Sequence, residues 1–209
     1  MTVGVEEVVT WIGTSADRIT ERRDELTKLD SAIGDADHGA NMTRGFKAVV
    51  EKLNDSPPET IAEAFKTTAM TLISKVGGAS GPLYGTMFLK MSQAADGMDQ
   101  IGTAEWADLL DAALDGIVSR GKAVLEDKTM VDALSPAVDA VRNAADSRDD
   151  LETAMRAMSE AAAQGVAATI PLVARKGRAS YLGERSAGHQ DPGATSTHLI
   201  LDAAADTLK

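Results

Sequence analysis

The apolar residues of this 209-residue chain recur at helical spacing almost from end to end, which leaves little room for any other kind of fold. Val5, Val8, Val9 and Ile12 follow the i, i+3, i+4, i+7 stripe, and Ile19, Leu26 and Leu29 carry it to an aspartate-rich turn. The pattern resumes with Met42, Phe46, Val49, Val50 and Leu53 and stops at Asn54-Asp55-Ser56-Pro57-Pro58, which cannot continue a helix. A third stripe, Ile61, Ala64, Phe65, Thr68 and Leu72, runs to Gly77-Gly78. A fourth, Leu83, Met87, Phe88 and Met91, closes at Asp96-Gly97. Thr103 reads as the N-cap of a fifth helix through Trp106, Leu109, Leu110, Ala113, Ile117 and Val124. Leu134, Val138 and Val141 mark a sixth; Leu151, Met155, Met158, Ala162, Val166 and Ile170 mark a seventh, which Pro171 kinks or ends. Asp191-Pro192, an N-cap with proline at the first helical position, opens an eighth on Leu199, Ile200, Ala203 and Leu208. Eight helices and no convincing strand make the chain all-α. No linker, composition break or repeat divides it, so one domain over residues 1–209 is expected.

Composition agrees with this reading. Aromatic residues are only 3%, and the apolar content rests on Ala, Leu, Val, Ile and nine Met, which suit helices packed closely over small side chains. A formal charge of −11 disfavours nucleic acid and anionic membranes as partners, so any phosphate site must be local. There is no Cys, no basic or apolar leader in Met1 to Glu7 and no apolar run of spanning length, which together predict a soluble cytoplasmic protein.

Between the first two helices, Asp30, Asp35 and Asp37 place three carboxylates within eight residues. If they face one cavity, each pair about 6 Å apart repels by ~3 kcal/mol at an effective dielectric of about 20, and burial adds desolvation. A divalent cation removes that penalty, and carboxylate oxygens select a hard one such as Mg²⁺, which also binds phosphate. An EF-hand fails on spacing: the twelfth position is Phe46 counted from Asp35 and Asn41 counted from Asp30, where Glu is needed. Zinc lacks ligands, since there is no Cys and His38, His189 and His198 have no recognised spacing. The competing reading is a solvated turn whose aspartates cap helices.

Three later segments bear on the same chemistry. Gly77 to Thr86 is glycine-rich and opens a helix; it reads equally as an anion cradle or as an ordinary turn with Pro82 in the first helical turn, and it is not a Walker A loop. Glu126-Asp127-Lys128 reads as a solvated turn before the sixth helix, and the Met residues of the seventh as core. From Arg175 to Gly193 periodicity disappears, while Arg175, Lys176, Arg178 and Arg185 concentrate positive charge in an acidic chain; a long loop of this kind is functional or disordered. An acid cluster, a Gly-Ser loop at a helix start and an Arg-bearing loop are the parts of a phosphoryl-transfer site, where positioning and charge neutralisation dominate and no nucleophilic triad is required.

Four blocks, Asp30 to Gly45, Gly77 to Gly85, Asp127 to Asp132 and Ala179 to Thr195, closely resemble, in order and over the whole chain, the nucleotide-binding L subunit family of dihydroxyacetone kinases. The resemblance implies a closed up-and-down barrel of eight antiparallel helices with the nucleotide at one end. It implies that Asp30, Asp35 and Asp37 hold two Mg²⁺ ions, and that His38, Gly39, Ala40 and Asn41, with Ala79 and Ser80, contact the phosphates. Gly121 and Met130 would line the adenine pocket, and Leu83 and Thr129 join the nucleotide contacts. Arg178 and the corner Asp191-Pro192-Gly193 would close over the nucleotide, with Arg178 and His38 in catalytic roles. Many relatives carry Ser at position 79, and Ala79 offers only its backbone N–H.

The chain has no room for a substrate-binding K domain. It therefore resembles the separate subunit of the phosphotransferase-system-dependent branch, in which retained ADP, transiently ATP, relays a phosphoryl group from a phospho-His M subunit to dihydroxyacetone on a K subunit. A homodimer and a transcription regulator stand among the expected partners. Two other functions remain open: an L subunit that exchanges ATP and acts with a K subunit on dihydroxyacetone or another ketose, and a nucleotide-loaded adaptor. A phosphorylated His38 is a further alternative, against which the three neighbouring carboxylates argue.

Overall fold

A computed structural model of the chain describes residues 2–208. Nine α-helices are found among them: α1 Val5–Glu21, α2 Arg23–Ile33, α3 His38–Asp55, α4 Ile61–Lys75, α5 Ser80–Ala94, α6 Thr103–Gly121, α7 Val131–Ser147, α8 Leu151–Ala168 and α9 Pro192–Thr207. A 3-10 segment, Arg178–Ser186, interrupts the connection from α8 to α9. No strand occurs among the described residues, apart from an isolated antiparallel bridge between Val3 and Ile101 that ties the start of the chain to the α5–α6 connection.

The eight expected helices are present, with the first broken in two. At Arg22 the backbone turns through φ −95° and ψ 12° before α2 resumes. Two other local readings change. The fifth helix is capped by Gly102, whose N–H donates to Glu105 Oε2 at 2.9 Å, so Thr103 is its first residue and not its cap. The seventh stops at Ala168, ahead of Pro171, which therefore lies outside it.

From α3 onward each helix packs on the next, and α9 returns to pack on α1, so the row closes into a ring. Helix α1 is pinned there by the Trp11 indole, which donates to Ile200 O at 2.8 Å, and by Arg18 paired with Asp202 and Asp206. The interior is one apolar cluster. Trp11 meets Phe65, Phe88 and Trp106 at ring-centre separations of 6.1, 5.8 and 5.1 Å, and Met42, Met87, Met91, Met155 and Met158 fill the space around them. The methionines of α8 are thus core, as their spacing predicts.

Ring closure decides where function can sit. In an up-and-down ring, alternate connections share an end. The links α2–α3, α4–α5, α6–α7 and α8–α9 therefore gather at one rim, and these are the four blocks singled out in the sequence.

Candidate functional site

At that rim an open cleft of about 190 Å³ is lined from all four connections. Its walls include Asp30, Asp35, Asp37 and His38 from the first link and Ala79, Ser80, Leu83 and Tyr84 from the second. The third contributes Lys128, Thr129 and Met130, and the fourth Lys176, Arg178, Asp191, Pro192 and Gly193. Helices α3, α5, α7 and α9 all begin here. The positive dipole ends of these helices favour an anion.

Asp30 sits on the opposite polarity, in the last turn of α2, while Asp37 is the N-cap of α3. Asp30 ends α2 and is buried, and its Oδ2 accepts from the N–H of Asp37 at 2.9 Å and of His38 at 3.1 Å, folding the turn back over it. Gly34 is required beneath this carboxylate, because a Cβ there would lie 2.0 Å from Asp30 Oδ1. Ala36 takes the left-handed conformation, φ 62°, to complete the reversal. One carboxylate oxygen from each of Asp30, Asp35 and Asp37 comes within 4.8 Å of the others, with Asp30 buried and Asp35 and Asp37 exposed to solvent. An all-oxygen anionic donor set fits a hard divalent cation, and it fits zinc poorly.

His38, the first residue of α3, is buried with both ring nitrogens engaged: Nε2 pairs with Ser196 Oγ at 2.8 Å and Nδ1 with Ser80 Oγ at 3.2 Å. Burial lowers its pKa, against the pull of Asp30 and Asp37. Ser196 in turn meets the Tyr84 hydroxyl at 2.7 Å, and Tyr84 also reaches Thr197 Oγ1 at 2.9 Å and donates to Gly193 O at 3.0 Å. This hydroxyl chain links α3, α5 and α9 beneath the cleft. Burial raises the Tyr84 pKa, so the phenol remains a donor.

Asp191 caps α9, its Oδ2 accepting from Ala194 N–H at 2.6 Å. Burial pushes its pKa up to about 7, with Lys128 drawing it down and Asp132 adding to the rise. Arg178 reaches across the mouth to Asp35, Nη2 to Oδ2 at 2.9 Å, with both side chains partly in solvent. Under it, Ala179 and Leu182 pack on Ile33 of α2, so the 3-10 segment lies as a lid on the helix that carries Asp30.

Not every residue named from the sequence reaches the cleft. Gly39 faces α2, where a Cβ would lie 2.1 Å from Arg23 O, and so permits α3 to start close against it. Ala40 lines a separate surface hollow with Arg23, Arg44 and Lys47. Asn41 is buried behind the glycine loop, accepting from Arg44 Nη2 at 2.6 Å. Gly121 stands behind Leu83, whose Cδ2 would lie 3.2 Å from an added Cβ.

The charged triplet is the clearest correction. Asp127 and Lys128 are buried, and Asp132 accepts from Thr129 N–H at 2.7 Å, so this connection is a folded turn and not a solvated one. Lys128, Tyr84 and Ser196 escaped sequence reasoning. For the last, the signal was the polar run Thr195-Ser196-Thr197 inside an otherwise apolar helix, which a buried helix keeps only with partners.

A family model described as the DAK2 domain matches residues 32–206. The chain belongs to the DAK2 domain family. It is 44% identical over its full length, and that of the relative, to the PEP-dependent dihydroxyacetone kinase ADP-binding subunit DhaL of Escherichia coli. It is 41% identical to the corresponding PTS-dependent subunit of Lactococcus lactis, covering 98% of each chain. Among solved structures it resembles the dihydroxyacetone kinase of C. freundii in complex with AMP-PNP and Mg²⁺, with a TM-score of 0.74 at 23% identity over 95% of this chain. It spans 33% of that longer kinase, and the likeness establishes the shared all-helical fold. The family thus includes members matched over their whole length and members that carry the same unit within a longer chain. No helix among the described residues is long and apolar enough to cross a membrane.

Proposed function

We propose that this chain is the ADP-binding subunit of a phosphoenolpyruvate-dependent dihydroxyacetone kinase, an enzyme that transfers a phosphoryl group. The observation that carries the reading is end-to-end likeness to DhaL subunits, 44% identity over 209 residues, in a chain whose four matching blocks converge on one cleft. Held there, ADP would supply the acceptor for a phosphoryl group that is then passed on, and Mg²⁺ would offset the phosphate charge. Asp30, Asp35 and Asp37 hold the metal, two ions in the finer reading. Ala79 N–H, Ser80 and the start of α3 receive the phosphates, with Gly39, Ala40 and Asn41 supporting that helix start from behind. Leu83, Thr129 and Met130 form the base-binding wall, backed by Gly121. Pro192 and Gly193 close its far side.

Arg178 stabilises the charge that develops as the phosphoryl group moves, from a lid that excludes water. His38 acts through position: with both ring nitrogens held by serine hydroxyls it orients Ser80 toward the phosphates, and it is not a phosphate carrier. The substrate dihydroxyacetone waits on a K subunit, and a phospho-His M subunit recharges the nucleotide. Activity in the cytoplasm, a homodimer and contact with a transcription regulator complete the proposal.

Denaturing the purified protein and analysing the supernatant tests the retained coenzyme: stoichiometric ADP supports it, and an empty protein that binds ATP reversibly refutes it. That second outcome favours a kinase subunit that exchanges ATP and serves dihydroxyacetone or another ketose. One likeness speaks for this alternative, 29% identity to the D-erythrulose kinase of Mycolicibacterium smegmatis over 92% of this chain and 34% of that one.

A further inference from the structure

The lid that carries Arg178 leaves the ring after α8 and returns at α9, and both of its roots converge on a single buried ammonium. Lys128 Nζ donates to Thr169 O at 2.8 Å and Leu172 O at 3.1 Å on the outgoing strand of the connection, and to His189 O on the returning one. Ile170 O stands at 3.4 Å as a fourth oxygen. Among the described residues Lys128 has no carboxylate within ion-pair distance, although it is almost fully buried. Three N–H donors are thus spent on three backbone carbonyls.

Around this centre the two roots are laced to each other and to the turn that carries Lys128. Gly188 N–H donates to Ile170 O at 2.7 Å, Arg175 N–H to Asp127 O at 3.1 Å, Ala174 N–H to Ser186 Oγ at 2.8 Å and Asp191 N–H to Thr169 Oγ1 at 3.0 Å. The residues following Lys128, Thr129 and Met130, line the cleft, so the anchor of the lid and the floor of the site are one turn of chain.

We propose that Lys128 is the positioning residue of the lid: its ammonium occupies a cage of backbone carbonyls as a bound cation would, and by clamping both roots it sets Arg178 over the carboxylate turn. The proposal rests on the phosphoryl-transfer reading for its effect on rate, and on the geometry alone for its effect on the lid. A lysine suits the cage because a compact point charge directs three donors to converging oxygens; the flat fork of arginine cannot do so, and a neutral side chain leaves the carbonyls unpaired.

The test uses the full chain carrying Lys128→Ala or Lys128→Met, read by hydrogen exchange of the segment 173–190 and by phosphoenolpyruvate-driven flux with the K and M subunits. Lid exchange is expected to rise at least tenfold with helical content unchanged. Flux is expected to fall at least tenfold in kcat, with little change in KM for the K subunit. Methylammonium chloride, filling the cage vacated in Lys128→Ala, is expected to restore both; tetramethylammonium at equal ionic strength is not, and Lys128→Arg is expected to behave like the alanine variant. Unchanged lid exchange in either variant overturns the proposal. So does loss of the helical fold in both variants, which would make Lys128 a residue of the ring and not of the lid. A wild-type protein without phosphoenolpyruvate-driven flux refutes the functional reading instead, while the exchange and methylammonium arms still decide the role of Lys128.

Discussion

Gly34→Ala isolates the carboxylate turn from everything else in the molecule. The backbone φ of −141° at Gly34 lies outside the left-handed region that favours glycine. The obstacle is the neighbour: the new methyl group would stand 2.0 Å from Asp30 Oδ1 and 2.9 Å from its Cγ, and the carboxylate must swing away. In doing so it gives up the N–H groups of Asp37 and His38, bound at 2.9 and 3.1 Å. Two hydrogen bonds to a charged acceptor are together worth about 3–6 kcal/mol, of which water at the open turn recovers a part, leaving a loss of about 2–4 kcal/mol. For a chain of this size that lowers the unfolding midpoint by about 5–15 °C. Measured in EDTA the drop reports the turn alone; with Mg²⁺ and ADP the variant is expected to retain no nucleotide. Gly13→Ala is the control, since nothing lies within 4 Å of its new methyl in the middle of α1, and it is expected to gain about 0.4–1 kcal/mol. A Gly34→Ala protein that melts within about 1 °C of the wild type, where 1 kcal/mol moves the midpoint by ~2–4 °C, would refute the reasoning.

Arg178→Ala removes a solvent-facing pair with Asp35 and is expected to cost no more than about 1 kcal/mol of stability and to keep the nucleotide, yet to slow phosphoenolpyruvate-driven transfer by about a hundredfold or more. An unchanged turnover in the coupled assay would remove it from the chemistry. Tyr84→Phe deletes the hydroxyl shared by Gly193 O, Ser196 and Thr197 and is expected to destabilise by about 1–2 kcal/mol in urea unfolding; equal midpoints would show that the hydroxyl chain carries no net energy. Asp191 keeps its proton to about pH 7 in the folded chain, whereas the ordinary value is 3.8, so the native state holds the extra proton between those limits and stability falls as pH rises through them. Asp191→Asn keeps an acceptor for the Ala194 N–H and cannot titrate, so its stability relative to wild type should improve from pH 5 to pH 7 by at most about 1.4 kcal/mol per unit. Parallel pH profiles would show that Asp191 is ionised throughout.

Periodicity carried the fold because an all-helical ring repeats one local rule. Its failures come where tertiary contacts overrule the local pattern. The stripe through Ile19, Leu26 and Leu29 runs across Arg22 without a sign of the break, since the intervening Glu21 to Glu25 is wholly charged and offers no apolar residue to test the phase. Position 103 was misread because threonine is a common cap, while here the glutamate at 105 reaches back to a glycine. At the site, the three aspartates were legible as a cation-binding group from charge alone; that they belong to the same cleft as residues 79, 130 and 191 was legible only by family likeness, since it depends on which connections share a rim. Lys128 was unreadable in physical terms: a lysine flanked by acids signals solvent, and nothing local announces that backbone carbonyls more than forty positions away will enclose it.

The break at Arg22 has a bearing on how such a chain can change over time. Before it, α1 answers to Trp11, Ile12 and Ile19, all buried, and to partners on α9. After it, α2 buries only Leu26, Asp30 and Ile33 and leans on α3 and the lid. The joint therefore separates two kinds of selection along one stretch of polypeptide: upstream substitutions are screened by packing, downstream ones by charge. A descendant can retune which cation or anion the rim accepts by rewriting a dozen or so residues of α2 and its turn, with the inherited ring left intact behind it.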